Sequence, residues 1–171
     1  ASKVILLDAN EYALYSIKQE IEGFRGDAEI FSVLASVSNK RRIKEVCKAF
    51  NVDTIYHAAA YKHVSLVEEN PFEAVLNNIH GTKLCAEAAI ETEVETFVLI
   101  STDKAVRPTN IMGATKRFSE LILQSLAVHT STRMTMVRFG NVIGSSGSAI
   151  PLFQEQIKEG GPVTVTHPEV I

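Results

Sequence analysis

The densest group of side chains suited to acid–base chemistry lies between residues 101 and 116. Residues 101–104, Ser-Thr-Asp-Lys, bring hydroxyl, carboxylate and ammonium groups together directly after an apolar run. Lys116 stands four residues after Met112, a spacing that places both side chains on one face of a helix. Charges this close alter each other's pKa values, as catalytic groups often do. The stretch is the first candidate for a catalytic site, although a solvated polar loop would have a similar composition.

Asp8 is a second candidate, because it ends the first apolar run and precedes a polar turn. An acidic residue at a strand end in a dinucleotide-binding sheet accepts hydrogen bonds from the adenosine ribose and repels a 2′-phosphate. Asp8 therefore favours NAD over NADP as a cofactor, with a turn or helix-cap aspartate as the alternative. The glycine-rich phosphate loop that precedes such an aspartate is not among the 171 residues, since Gly140 to Gly147 has a different spacing.

Three alanines, Ala58, Ala59 and Ala60, follow the third apolar run. Small side chains at a strand end let a flat ligand or a backbone approach closely, and they also let a helix pack against a sheet. The composition fits both interpretations equally. Lys62 and His63 come next, and they either face a ligand or cap the edge of the sheet.

Apolar runs and amphipathic segments alternate along the chain and must position these groups. The runs, each a predicted buried strand, lie at residues 4–7, 30–33, 54–57, 96–100 and 134–137. Helical spacing between them predicts a cap at Ser38 or Asn39 and a helix that continues from Pro71 to Ala89. A later helix has an apolar stripe at Phe118, Leu121, Ile122 and Leu126. This alternation predicts an α/β fold, a Rossmann-like doubly wound parallel sheet covered on both faces, with ligands at the carboxyl ends of its strands.

Length and composition describe one ordinary globular domain. The chain has 171 residues, is 46% hydrophobic and 22% charged, and carries a net charge of −3 from 17 basic and 20 acidic residues. This balance disfavours nucleic acid as a partner, and no apolar run is long enough for a membrane span or a signal peptide. Cys47 and Cys85 lie in helical segments, which predicts reduced structural thiols. No His/Cys/carboxylate cluster has metal-ligand spacing, so no metal site is predicted.

Three long strings point to a known family. HAAAYKHVSLVEENPFEAVLNNIHGT, ISTDKAVRPTNIMGATKR and VRFGNVIGSSGSAIPLF closely resemble the membrane-anchored UDP-N-acetylglucosamine 4,6-dehydratases of bacterial capsule and O-antigen synthesis. These enzymes are extended short-chain dehydrogenases/reductases, and the resemblance covers nearly the whole chain. Most of that superfamily has a catalytic tyrosine where Met112 stands, but this branch is itself known for a methionine there.

The resemblance implies an NAD-dependent lyase acting on a UDP-sugar. Hydride leaves sugar carbon 4, water is lost across carbons 5 and 6, and hydride returns to carbon 6. The resemblance further implies a homo-oligomer and a cytoplasmic domain of a protein anchored in the inner membrane, with no membrane contact by this segment. Residues 1–171 are expected to form a single partial domain without the first strand, the glycine-rich loop and the C-terminal substrate region, so that the first apolar run lacks its inner neighbour.

Individual site residues follow from the same resemblance. Lys116 is expected to bind the nicotinamide ribose, and Thr102 to orient the sugar 4-hydroxyl. Asp103 is expected to act as the base or to protonate the departing 6-hydroxyl, and Lys104, if neutral, to remove the carbon 5 proton. The full catalytic set is Thr102, Asp103, Lys104, Met112 and Lys116. The cofactor set is Asp8, Ser36, Val37, Ala58, Ala59, Ala60, Asn78, Ser101 and Lys116. In the family an Asp-Val pair often contacts adenine where this chain has Leu-Ala-Ser-Val at residues 34–37. The substrate set is Lys62, His63, Asn141, Ser148 and Pro151, with Arg138 either structural or a phosphate ligand.

Two alternatives stand beside the dehydratase. A nucleotide-sugar 4-epimerase shares the scaffold but normally needs the tyrosine that Met112 replaces. A noncatalytic chain that folds or associates without holding NAD would also agree with the missing phosphate loop.

Overall fold

Strands and helices alternate along the chain in the order that the sequence predicts. The computed structural model describes residues 1–24, 26–140, 142 and 149–164. The strands are β1 (Lys3–Asp8), β2 (Glu29–Leu34), β3 (Thr54–His57), β4 (Thr96–Thr102) and β5 (Arg133–Phe139). Each contains one of the five apolar runs, so the predicted strands are confirmed.

Asparagine caps fix the starts of the helices that follow β1, β2 and β4. The helices are α1 (Glu11–Glu22), α2 (Lys40–Phe50), α3 (Val64–Glu69), α4 (Pro71–Ala74), α5 (Thr82–Glu91), α6 (Ile111–Ala127) and α7 (Ala149–Lys158). Asn10, Asn39 and Asn110 accept backbone N–H groups in the first turns of α1, α2 and α6. A π-helical segment, Val75–Gly81, joins α4 to α5 where the pattern predicts one regular helix. The pattern does not indicate α7.

The strands form two sheets. β1 pairs with β2 in parallel, with Val4 opposite Ile30. The second sheet has the order β3-β4-β5, and its parallel pair β3 and β4 sets Ile55 opposite Phe97. Among the described residues no strand pairs with both β1 and β3, so the sheet is interrupted where the family resemblance expects a further strand. The α/β fold with parallel strand pairing is confirmed.

The core lies on one side of the second sheet, beneath α5 and α6. Phe97, Leu99 and Leu123 are completely buried there, together with the thiols of Cys47 and Cys85. On the other side of this sheet, Val98 of β4 is buried, whereas Tyr56 on β3 is 72% exposed and Val137 on β5 is 48% exposed. Burial of the predicted strands is thus uneven, greatest for β4 and partial for β3 and β5.

The apolar stripe predicted for α6 is wrong for two of its four residues, whereas Ile122 is half-buried and Leu126 packs against the core. Phe118 is 57% exposed and Leu121 is 43% exposed. The buried side of the helix instead carries Met112, Gly113, Thr115, Lys116, Ser119, Glu120 and Leu123. The face of α6 that meets the protein interior is thus largely polar, because it meets backbone carbonyl and hydroxyl groups near the end of β4.

The chain divides into two compact units, residues 1–138 and 139–171. The first contains α1 to α6 and nearly all of the two sheets. The second contains α7, where the Gln156 side chain bonds to the backbone N–H and the hydroxyl of Thr164. None of the described helices combines the length and the apolar character needed to cross a membrane. A single domain over residues 1–171 stays a prediction.

Candidate active site at the carboxyl end of β4

A glycine lets the start of α6 lie directly against the turn that follows β4. This turn is a short 3-10 helix, Asp103–Ala105. A Cβ atom at Gly113 would lie 2.5 Å from the Lys104 carbonyl oxygen, closer than real Cβ atoms approach. The Asn110 side-chain oxygen accepts the Gly113 N–H at 2.8 Å and fixes the first turn of α6 beside it. The polar residues after β4 are therefore held next to α6, as their common role requires.

Thr102, Asp103 and Lys104 form a connected polar group. The Asp103 carboxylate accepts hydrogen bonds from the Thr102 hydroxyl at 2.9 Å and from the Lys104 ammonium at 3.2 Å. These contacts, with the Thr102 hydrogen bond as the larger cause, lower the pKa of Asp103. Its side chain is 58% exposed and so accessible to a ligand. Of the two roles expected for Asp103, this arrangement favours the base for the first proton transfer.

Lys116 is the buried cation of the site. The residue is 6% exposed, and its ammonium donates to the Ile100 carbonyl oxygen of β4 at 2.6 Å. Burial lowers the pKa of Lys116 to about 8, while the negative charge of Glu120 opposes that shift. His57, buried at the end of β3, has its pKa lowered to about 4 by burial and by the charge of Lys116. The site therefore sets a lysine that titrates near neutral pH beside a neutral histidine.

Met112 packs against α3 and α4. It lies in a buried apolar cluster with Val67 and Ala74. Met112 and Lys116 are both buried, as their spacing predicts, but their side chains contact different elements. A thioether has no proton to exchange, so Met112 offers no acid or base at this position.

Asn78 fastens the segment after β3 to the helices. Its side-chain oxygen accepts the Tyr61 N–H at 2.7 Å, and its amide nitrogen donates to the Tyr61 carbonyl and the Thr115 hydroxyl, each at 3.0 Å. Its own carbonyl oxygen accepts the hydroxyls of Thr82 and Ser119. Asn78 is therefore a buried positioning residue in a π-helical segment, a geometry frequent at functional sites. Direct contact between Asn78 and a cofactor stays a prediction.

A buried carboxylate lies one turn beyond Lys116, and the sequence pattern did not single it out. Glu120 has no exposed surface. It accepts hydrogen bonds from the Ser101 hydroxyl at 2.7 Å, from Arg138 at 2.8 and 2.6 Å, and from Arg117 at 3.0 Å. Burial raises the pKa of Glu120, but the hydrogen bonds from Arg138, Ser101 and Arg117 together outweigh it and bring the pKa to about 2. The only sequence signal was its position four residues after Lys116.

Two of the residues named by the sequence analysis contact Glu120 within the described structure, and their predicted ligand contacts stay predictions. The Ser101 hydroxyl, expected at the cofactor, is buried and donates to Glu120. Arg138, for which a structural and a phosphate-binding role were both open, binds Glu120 through two nitrogens in a fork geometry. Both side chains therefore hold elements together.

The predicted adenosine-binding residues lie at the ends of β1 and β2. The exposed Asp8 carboxylate accepts the Asn10 N–H at 2.7 Å, as a turn aspartate does. Ser36 is exposed and lines a cavity of about 310 Å³ together with residues that include Tyr61 and His80. Val37 is buried in the interior beside Gly81. Asp8 and Ser36 are thus accessible to a ligand, whereas Val37 contributes packing.

The remaining predicted residues are only partly assembled. Ala58 is exposed and Ala59 and Ala60 are half-buried after β3, and Lys62 and His63 are exposed beyond them. Asn141 and Ser148 lie outside the described residues. Pro151 lies in α7, within the second unit. The predicted substrate set therefore stays a prediction.

The residues present fit part of a bound NAD. One carboxylate oxygen of exposed Asp8 makes no hydrogen bond in the described part of the chain and is available to ribose hydroxyls. The three small alanines leave room for a close approach, and Lys116 supplies a cation. No glycine-rich loop with dinucleotide spacing occurs in the sequence to hold the pyrophosphate.

Comparison with known proteins gives the family. Residues 1–171 match the family described as "Polysaccharide biosynthesis protein". The chain belongs to this family. The capsular polysaccharide biosynthesis protein CapD of Staphylococcus aureus is 57% identical over 170 residues, which are 98% of this chain and 28% of CapD. The inverting UDP-N-acetylglucosamine 4,6-dehydratase of Campylobacter jejuni is 36% identical over 170 residues, 92% of this chain and 50% of that enzyme.

Other relatives share the scaffold but differ in reaction. A UDP-glucose 4-epimerase of Rickettsia canadensis is 41% identical over 138 residues, 78% of this chain and 40% of that enzyme. The structure of a double mutant of DesIV, the dTDP-glucose 4,6-dehydratase of Streptomyces venezuelae with NAD and DAU bound, has a TM-score of 0.85 and 22% identity, covering 95% of this chain and 55% of that chain. This likeness confirms the Rossmann-like fold. The chain spans between 28% and 50% of the length of the three sequence relatives.

Proposed function

We propose that the protein is an NAD-dependent UDP-N-acetylglucosamine 4,6-dehydratase, a lyase of bacterial surface polysaccharide synthesis. One observation carries the proposal. The hydrogen-bonded pair of Thr102 and Asp103 stands where β4 meets α6, while a buried methionine occupies the position four residues before Lys116. With no tyrosine hydroxyl at that position, the carboxylate becomes the proton acceptor. Identity to CapD and to the Campylobacter dehydratase supports the same assignment.

Each residue after β4 then has a role. Asp103, ionised by its hydrogen bonds to Thr102 and Lys104, accepts the proton of the sugar 4-hydroxyl, which Thr102 orients. The cation of Lys116 stabilises the oxygen as it gains negative charge. Lys104, in its neutral form, removes the carbon 5 proton, and Asp103 gives the proton it has taken to the departing 6-hydroxyl, which leaves as water. When hydride enters carbon 6, Lys104 returns a proton to carbon 5, so that both groups end the reaction in the state in which they began it. The Asp103 carboxylate and the Lys104 amine lie 3.2 Å apart, so both proton transfers are proposed to take place at one point of the site.

NAD, when bound, supplies the hydride acceptor for carbon 4 and the hydride donor for carbon 6. Lys116 is proposed to hold its nicotinamide ribose and Asp8 its adenosine ribose. The other proposed cofactor neighbours are Ser36, Val37, Ala58, Ala59, Ala60, Asn78 and Ser101. The proposed substrate neighbours are Lys62, His63, Asn141, Ser148 and Pro151. A homo-oligomer on the cytoplasmic side of the inner membrane completes the proposal.

The reaction is tested by incubating the intact protein with UDP-N-acetylglucosamine and measuring the mass of the sugar nucleotide by mass spectrometry. The expected product has lost one water and carries a 4-keto group. Asp103→Asn should lower kcat about 100-fold or more, because general acid–base catalysis contributes that much. Asp53→Asn is the matched control, since Asp53 is exposed and directly precedes β3 at the opposite end of the sheet. An unchanged substrate mass with the wild-type protein would contradict the proposal.

A nucleotide-sugar 4-epimerase is the second candidate, favoured by the identity to the Rickettsia enzyme. Its product has the same mass as the substrate and an inverted carbon 4, so the same experiment distinguishes the two. The third interpretation is a noncatalytic chain that folds or associates without holding NAD. Calorimetry of the 171-residue chain with NAD tests it, because micromolar binding would contradict a chain that cannot hold the cofactor.

A further inference from the structure

Glu120 connects three elements of the candidate site without reaching its surface. It lies on α6, accepts a hydrogen bond from Ser101 of β4 at 2.7 Å, and binds Arg138 of β5 at 2.8 and 2.6 Å. It has no exposed surface, so no ligand can contact it directly. Any effect of Glu120 on chemistry must therefore act through its neighbours.

Two adjacent hydrogen bonds join α6 to β4. Lys116 donates to the carbonyl oxygen of Ile100 at 2.6 Å, and Glu120 accepts the hydroxyl of the next residue, Ser101. Thr102 and Asp103 directly follow Ser101 in the chain. A displacement of Ser101 would therefore move the proposed proton-transfer group relative to Lys116.

The charge of Glu120 also matters, because its surroundings are cationic. Arg117 and Arg138 bind the carboxylate, and Lys116 lies within electrostatic reach on the same helix. The other groups described around Lys116 are His57 of β3, which is neutral at physiological pH, and the Ile100 carbonyl of β4. Loss of the Glu120 charge would leave the buried Lys116 near two partly exposed arginines without the anion, which disfavours the charged state of the lysine.

We propose that Glu120 is a positioning residue of this site: it locks the end of β4 against Lys116 and supplies the negative charge that keeps Lys116 cationic. The proposal rests on the proposed function for its activity readout. Ser101 and Arg138 are the partners through which Glu120 acts. Arg117 binds the same carboxylate through one contact from α6 itself, so it joins no further element to the helix and adds little to the positioning.

Three variants of the intact protein test this role. Glu120→Gln should lower kcat about 10-fold to 100-fold with KM within about twofold of wild type, as misplacement of reacting groups does. It should also move the alkaline limb of the pH–kcat profile to lower pH. Ser101→Ala keeps every charge, so it should lower kcat while leaving that limb in place. Arg117→Met, the matched control on the same carboxylate, should change kcat less than about twofold.

The outcomes separate positioning from simple stabilisation. A folded Glu120→Gln protein with wild-type kcat and an unmoved alkaline limb overturns the proposal, and so does an equal loss of kcat in Arg117→Met. If Glu120→Gln does not fold, Ser101→Ala decides the positioning role, since wild-type kcat in that variant refutes it. Calorimetry with NAD at pH 7 and pH 9 gives a readout that does not depend on turnover. The affinity for NAD should fall when Lys116 is deprotonated, and in Glu120→Gln it should fall at a lower pH than in wild type.

Failure of the proposed function is recognised separately. The product made by the wild-type protein identifies its reaction. If that product is the carbon 4 epimer, the kcat ratio of variant to wild type still tests Glu120, because both reactions begin at the sugar 4-hydroxyl.

Discussion

Gly113→Ala is expected to separate α6 from the turn after β4. The new Cβ would lie 2.5 Å from the Lys104 carbonyl oxygen, and ordinary contact begins at 3.4 Å, so the two backbones must move apart by about 0.9 Å. Because the obstacle is backbone and cannot rotate away, the cost lies at the upper end of overpacking penalties, about 3 kcal/mol. The better helix propensity of alanine returns about 1 kcal/mol. The free energy of unfolding should therefore fall by about 2 kcal/mol.

Gly81→Ala is the matched control. Gly81 is also buried and helical, but its nearest neighbour is a methyl group of Val37 at 3.0 Å, the end of a side chain that can shift. Its free energy of unfolding should change by less than about 1 kcal/mol. Urea denaturation of the chain followed by circular dichroism measures both variants. Equal stability of the two variants would refute the argument that backbone contact at Gly113 sets the distance between β4 and α6.

Two further predictions concern buried polar groups. Burial lowers the pKa of His57 from 6.5 to about 4, so the folded state favours the neutral imidazole. Its contribution to the free energy of unfolding is complete above pH 6.5. On acidification to pH 4 the free energy of unfolding should fall by about 3 kcal/mol, because the unfolded chain binds the proton first. Urea titrations at several pH values should show this loss in wild type and a smaller one in His57→Gln; parallel losses would show that other groups cause it. Asn78→Ala should lower the free energy of unfolding by about 3 kcal/mol, because it leaves the N–H and C=O of Tyr61 without their partner, whereas Asn77→Ala should cost less than about 1 kcal/mol. Equal melting temperatures for the two asparagine variants would contradict the role of Asn78.

The strands were predictable because each is a short apolar run bounded by polar turns. The extent of their burial was not. Tyr56 and Val137 belong to such runs yet are exposed on the second sheet. Composition shows that a side chain is apolar, but which side of a sheet receives helices depends on the path of the chain between strands.

The π-helical segment shows a second limit. Periodicity predicts one helix from Pro71 to Ala89, and the residues are indeed helical over this range. The added residue in its turns is not encoded in any single side chain. Asn78 lies in this segment and bonds both backbone groups of Tyr61, a residue from a different part of the chain. Such a local change of helix type depends on tertiary contacts that a periodic pattern does not contain.

Helix α6 explains why the sequence points to Lys116 as a candidate site residue but not to the buried groups that surround it. An apolar stripe usually marks the buried face of a helix, and here that rule selects Phe118 and Leu121, which are exposed. The buried face carries Lys116 and Glu120 because the end of β4 offers it a carbonyl oxygen and a hydroxyl. Lys116 was recognisable from its place in a motif, whereas the partners of Glu120 lie 18 and 19 residues away in the sequence. A polar residue spaced by four from a candidate catalytic lysine therefore merits testing as a buried partner, even where the helix has a more apolar side.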